Sequence, residues 1–229
     1  MINLLSRLNR FLMSQSLYPI LLSSILAMAI FAVRVYMSGS LRIYSNLVWN
    51  LFLAWIPYLF AVQAAALYYL FPKQWWMLIV PGGIWLAFFP NAPYIVTDFF
   101  HLEDRLYIPL WYDILMLTTF AWTGVFLAIA SLRTMQALVK IHFGKFLSWV
   151  FVAVALSLSG LGIYLGRFER WNSWDLLSHP KSILKDVAVQ VIDPFSNLSF
   201  FGFTILFTFF LFICYLMFVS IKPFEEASR

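Results

Sequence analysis

The sequence predicts an all-α protein: a polytopic bundle of about six transmembrane helices, with a short amphipathic helix before the last span. Two observations carry this reading. Apolar residues make up 63% of the 229 positions and charged residues 11%, and mean hydropathy is +0.85. A chain this short cannot bury that much apolar surface in one water-soluble core. The apolar residues also fall in long runs, and roughly 20 residues of helix cross a bilayer. The solvent for most of the chain is therefore lipid.

The spans fall at roughly 17–37, 47–71, 75–97, 108–132, 146–166 and 197–221. No long polar linker divides them, so residues 1–229 are expected to form one integral membrane domain. Arg7 and Arg10 precede the first run, which contains Ala27-Met28-Ala29. That resembles a signal-peptidase site, but Ile30-Phe31-Ala32-Val33 prolong the run to spanning length, so a retained helix is expected. Span 2 carries Pro57, whose missing donor neighbouring helices can offset. Span 3 opens on Trp75 and Trp76, suited to the membrane interface. Pro90 and Pro93 are expected to break it in its outer third, pushing Phe89 and Ala92 toward extended backbone. Span 4 opens on Trp111-Tyr112-Asp113. Span 5 holds Ser159, Gly162 and Gly166, small residues that permit close helix approach. Between spans 5 and 6, Ile183, Leu184, Val187 and Val191 recur at helical spacing, the pattern of a helix lying on a membrane.

Charge bears on orientation. With both ends inside, the inner segments hold Arg7, Arg10, Lys73, Arg133, Lys140, Lys145, Lys222 and Arg229. The outer ones hold Arg34, Arg42, Arg105, Arg167, Arg170, Lys181 and Lys185. Setting the last long loop aside tips the balance inward, so both termini are expected in the cytoplasm. The net charge of +5 is explained by these short loops, and nucleic acid is not an expected partner. Cys214 is the only cysteine and lies inside an apolar run, which excludes an intrachain disulfide.

Two polar stretches interrupt the apolar pattern. The first is Pro90-Asn91-Ala92-Pro93-Tyr94-Ile95-Val96-Thr97-Asp98-Phe99-Phe100-His101; the second is Gly166-Arg167-Phe168-Glu169-Arg170-Trp171-Asn172-Ser173-Trp174-Asp175. Polar groups near lipid are usually kept for a purpose. Two crossings separate the stretches, so a six-span count puts them on one side. Asn91 is placed either to satisfy carbonyls freed by the prolines or to contact a ligand. Asp98 and His101 share a face of a helical turn and form an acid–base pair, a candidate half of a metal site, or a pair that satisfies itself. Asp113 needs a partner, for which Arg167 or Arg170 is the expected one. Arg167, Glu169, Arg170, Asn172 and Asp175 supply anion-binding and hydrogen-bonding groups, with an interfacial belt and a helix cap as the plainer reading. Glu103, Asp104 and Arg105 read as solvated loop charges. The expected site is an outer pocket where spans 3, 4 and 5 meet, with Asp98, His101 and Asp113 as catalytic candidates.

The strings PNAPYIVTDFFHL, WYD and GIYLGRFERWNSWD resemble the bacterial integral-membrane family called domain of unknown function 1361. The resemblance covers roughly spans 2 to 6. It implies a small polytopic protein of the bacterial cytoplasmic membrane, and supplies no activity, cofactor or catalytic residue.

Three function classes follow. The first is an accessory or scaffold protein of the cell envelope, with a polar extracytoplasmic site at the lipid interface and a protein partner. The second is a membrane-embedded enzyme acting on a lipid-linked or envelope substrate, Asp98, His101 and Asp113 supplying acid–base or metal-binding groups. The third is a transporter or lipid translocator with Asn50 and Gln63 along its path. The sparse charges within the spans and the lack of an internal repeat count against it. Membrane lipid is a partner in all three, an anionic headgroup or lipid-linked substrate in the first two. No cofactor is specified. Gly82-Gly83 lacks the pattern of a nucleotide-binding loop.

Overall fold

The protein, seen in a computed structural model, is described over residues 2–103 and 108–221, with side chains from Ser6 onward apart from Leu8. Nine α-helices occur among the described residues: α1 (Ile2–Ser14), α2 (Leu17–Ser38), α3 (Ser45–Leu70), α4 (Ile79–Phe88), α5 (Asn91–Tyr94), α6 (Leu110–Phe168), α7 (Asp175–Ser178), α8 (Pro180–Ile192) and α9 (Leu198–Ser220). Short 3₁₀ segments, Trp75–Leu78 and Ile95–His101, flank α4 and α5. The all-α membrane fold expected from composition is what the chain adopts. The chain divides into two compact units, Met1–Leu138 and Val139–Arg229.

Five helical stretches are long and apolar enough to cross a membrane, the fourth being the 59 residues of α6. The six expected spans are accommodated in these five stretches, because α6 holds spans 4 and 5 in succession. A loop was expected near residues 133–145, yet helix persists there and the only non-helical backbone inside α6 is Gly144, at φ 83° and ψ 177°. Residues 133–143 are mostly good helix formers, and only a glycine takes that backbone without strain. A straight helix of 59 residues would run about 90 Å, roughly three times the hydrocarbon thickness. Spans 4 and 5 are thus the two arms on either side of Gly144.

Unit 1 opens with α1, which the span pattern did not foresee. The Tyr58 hydroxyl donates to the Gln15 carbonyl at 2.9 Å, and the Thr134 hydroxyl pairs with the Gln15 amide oxygen at 2.7 Å. These tie the α1–α2 turn to α3 and α6. Deeper in the unit the Ser23 and Thr123 hydroxyls meet at 2.6 Å, and the Trp55 indole donates to Ser24 at 3.2 Å. Trp85, Phe89, Leu117 and Phe120 are fully buried in the same unit.

The proline stretch departs from expectation. Phe89 is helical (φ −54°, ψ −39°), and Ala92 lies within α5. The chain restarts helix at each proline instead of running extended. Pro90 precedes α5 and Pro93 sits in its first turns, where a missing N–H interrupts little. The Ala92 N–H shifts to the Phe89 carbonyl at 3.3 Å. That releases the Phe88 carbonyl, which the Asn91 side-chain amide reaches at 3.0 Å. Gly124 of α6 lies against this turn. A Cβ there would stand 2.3 Å from the Ala92 carbonyl oxygen, so only glycine lets the backbones approach this closely.

Unit 2 comprises α6 from Val139 onward, with α7, α8 and α9. Its close approach is at Gly160, where a Cβ would meet the Thr208 hydroxyl at 2.4 Å and the Thr204 carbonyl at 2.8 Å. Tyr164 packs edge-on against Phe200 at 4.9 Å, and Phe168 against Phe203 at 5.2 Å. The amphipathic segment forms α8, with Ile183 buried and Leu184 and Val191 exposed.

Candidate functional site

In unit 1, consecutive crossings bring the end of α2, the start of α3, the end of the Ile95–His101 segment and the start of α6 to one side. Three polar ties join them. Arg34 is the only charged residue of α2. Its Nε donates to Asp113 Oδ1 at 2.7 Å and its Nη2 to Oδ2 at 3.1 Å. Both residues are buried, at 0% and 1% exposure. A forked guanidinium–carboxylate pair is the geometry that makes such burial tolerable. The remaining nitrogen, Nη1, has no partner among the described residues. The guanidinium carbon also lies 4.6 Å from the centre of the Tyr44 ring, a cation–π contact.

Tyr44 forms the second tie, its hydroxyl donating to the His101 carbonyl at 3.1 Å. Its backbone is left-handed (φ 64°, ψ 15°). For an aromatic residue that conformation costs about 1–3 kcal/mol and persists only where surroundings impose it. The third tie is the Asn50 side-chain amide donating to Asp98 Oδ2 at 2.8 Å, which satisfies a carboxylate only 2% exposed.

Beside the second and third ties lies a recess of about 290 Å³ lined by Arg42, Ile43, Tyr44, Asn46, Leu47, Asp98 and His101. Arg42, Asn46 and His101 are exposed, while Asp98 is buried in the wall. Asp98 and His101 thus share the recess, as their spacing suggested. Asp113 does not join it. Its partner is Arg34, which corrects the expected pairing with Arg167 or Arg170. An aspartate one turn inside a span needs its cation at the same depth, and Arg34 is the one on a neighbouring span. The residues closing around Asp98 and Asp113 come from spans 1 and 2, where spans 3, 4 and 5 had been expected. Among the described residues, no group of three or more His, Cys, Asp or Glu is gathered for a metal ion. Asp104 and Arg105 lie outside the described residues, and Glu103 is exposed.

Sequence reasoning passed over Arg34 and Tyr44, and used Asn50 only as a path-lining residue. Arg34 carried a readable signal: a lone charge inside an apolar span. Tyr44 carried none, because its role depends on backbone conformation. Of the residues assigned to a path, Asn50 is bound to Asp98 and Gln63 is exposed.

In unit 2 the second stretch turns toward its own neighbours. The Trp171 indole donates to Asp186 Oδ2 of α8 at 2.9 Å. The Gln190 amide reaches Glu169 at 3.4 Å. Asp175 Oδ2 accepts from the backbone N–H of Asn172 at 2.9 Å and from its side-chain amide at 3.3 Å, which closes the turn leading into α7. The Ser178 hydroxyl and His179 approach Oδ1 at 3.3 and 3.8 Å. The Asn172 backbone N–H, with smaller contributions from the Asn172 and Ser178 side chains, holds the Asp175 carboxyl below its ordinary pKa. Arg167 is half-buried, and Arg170 is exposed with left-handed backbone (φ 60°).

Residues 49–214 match the family model described as Protein of unknown function (DUF1361). The chain belongs to this family. The match takes in Asn50, Asp98, His101, Asp113 and all of the second polar stretch, and leaves Arg34, Arg42 and Tyr44 outside it. No curated protein and no solved structure matches the chain.

Proposed function

We propose that this multi-pass membrane protein is an accessory or scaffold component of a bacterial cell envelope, and that its unit 1 recess holds the polar headgroup of a lipid or lipid-linked molecule at the extracytoplasmic face. One observation supports this most. The two buried carboxylates of unit 1 are engaged in helix-to-helix ties, Asp113 with Arg34 and Asp98 with Asn50, and Asp98 lines a small open recess. Leu41 and Phe100, next in sequence to Arg42 and His101 of its lining, are 68% and 65% exposed.

A membrane-embedded enzyme is the second reading, favoured by Asp98 and His101 lining the same recess. Purification of the full chain in mild detergent, followed by mass spectrometry for lipid, metal and protein, separates the two. The scaffold reading expects retained lipid and a stoichiometric protein partner that Asp98→Asn and His101→Gln both keep. One equivalent of metal, lost in both variants, would overturn it in favour of the enzyme.

A further inference from the structure

We infer that α1 is a membrane-surface helix that binds an anionic lipid leaflet, with Phe11 and Leu12 entering the headgroup layer and Arg7 and Arg10 meeting lipid phosphates. This surface lies at the opposite end of unit 1 from the recess and does not depend on how the recess is used. Helical spacing over the 13 residues of α1 gathers positions 4, 5, 8, 11 and 12, all apolar, on one side. Positions 3, 6, 7, 10 and 14, all polar, fall on the other. A helix so divided between an apolar and a cationic face lies in the plane of a membrane interface. Phe11 and Leu12 are half-buried, while Arg7 and Arg10 are exposed.

The junction with α2 holds α1 at that level. Only Gln15 and Ser16 separate it from α2, the first of the membrane-crossing stretches. Ser16 has left-handed backbone (φ 60°, ψ 26°), which ends α1 and turns the chain. The Tyr18 hydroxyl donates back to Asn9 Oδ1 at 2.5 Å. Nine residues of unbroken helix would set those positions about 14 Å apart along its axis, so the bond requires a bend. Tyr58 of α3 and Thr134 of α6 fix Gln15 at the corner. A helix bent away from a span where that span leaves the hydrocarbon has the bilayer surface beside it. Charge then selects the lipid. α2 and α3 cross in turn, so Lys73 and the exposed Trp75 and Trp76 stand at the α1 end, and tryptophan favours the interface. Residues 1–97 contain no Asp or Glu to neutralise Arg7, Arg10 and Lys73, whereas Asp98 and Asp113 lie at the recess end. Cations held this close to an anionic leaflet attract it, and salt screens the attraction.

The full chain would be placed in nanodiscs of equal phosphatidylcholine and phosphatidylglycerol, then extracted gently and its retained lipids counted by native mass spectrometry. Phosphatidylglycerol should be enriched. Arg7→Gln and Arg10→Gln should each lower the enrichment about fivefold at low salt, and added salt should lower it too. Arg7→Lys with Arg10→Lys should keep it, because a leaflet reads charge and not guanidinium geometry. In a Cys214→Ala background, spin labels on Leu12→Cys and Ser14→Cys report depth. The label at 12 should meet oxygen dissolved in lipid and be shielded from an aqueous nickel chelate, and the label at 14 should show the reverse. A label at 12 open to the chelate would overturn the surface helix. So would a label at 12 shielded from both reagents, as beneath a second copy or another protein. Enrichment that survives both glutamine substitutions and added salt would overturn the binding of an anionic leaflet by α1.

Discussion

The two polar stretches meet the same physical problem, charge beside lipid, in opposite ways. In unit 1 the partners are distant in sequence: Arg34 and Asp113 are 79 positions apart, and Asn50 and Asp98 are 48 apart. In unit 2 they are near: Asn172 and Asp175 are 3 apart, and Trp171 and Asp186 are 15 apart. The difference follows burial. Asp98 and Asp113 lie inside a helix bundle where water cannot satisfy them, so each needs a partner delivered by another span. The second stretch is largely exposed, and local turns suffice. The first stretch is therefore part of how unit 1 is assembled, and the second organises one loop against α8.

The contrast is broken most severely at Arg34. Replacing one member of a buried ion pair leaves the other charge uncompensated, at a cost of about 3–5 kcal/mol. Arg34→Met and Asp113→Leu should each lower the thermal midpoint of the detergent-solubilised chain sharply. The double variant should recover much of the loss, since an apolar pair of similar volume is often neutral. Equal damage from the double and single variants would mean that the pair contributes more than charge compensation. No comparable loss is expected from Trp171→Phe, whose bond to Asp186 lies in a half-exposed loop.

A smaller effect is expected where the proline turn meets α6. Gly124→Ala places a methyl group 2.3 Å from the Ala92 carbonyl oxygen, and backbone cannot move aside as a flexible side chain can. Overpacking of this kind costs about 1–3 kcal/mol. Gly83→Ala is the control, because a Cβ at that position would have nothing within 4 Å and a helical alanine gains up to about 1 kcal/mol over glycine. Thermal midpoints that moved alike for the two would refute the close approach.

These cases show why some of the molecule was legible in its sequence and some was not. Spans and the α8 helix were legible because lipid burial writes itself into every residue of a run. Asp98 and His101 could be placed together from spacing alone, since they stand on one short segment. Proline chemistry offered Asn91 a freed carbonyl as one of two roles, and its amide reaches the Phe88 carbonyl, although the backbone around it stayed helical instead of opening. The Arg34–Asp113 pair was not legible: spacing along the chain does not say which helices are neighbours. Nor was the continuation of α6 through 133–143, where cations that suggested a loop instead stand on a helix extending beyond the apolar run. Gly124 looked like any glycine within a span, and only the turn packed against it gives it a role.

The smallest effect sharpens the exposed side of the comparison. The Asp175 carboxyl is held below its ordinary pKa chiefly by one backbone N–H, that of Asn172. A carboxylate with a depressed folded-state pKa stabilises the fold fully above its unfolded value of roughly 3.9, and that contribution is lost as pH falls through the lower folded value. The turn before α7 should therefore hold throughout the neutral and mildly acidic range and loosen only in strong acid. Carboxyl-carbon NMR of the solubilised protein should show Asp175 titrating below the other exposed aspartates. Asn172→Ala removes the side-chain donor at 3.3 Å and keeps the backbone donor at 2.9 Å, so most of the depression should survive. If alanine at 172 returned Asp175 to its ordinary value, the side-chain amide rather than the turn would be what holds the charge.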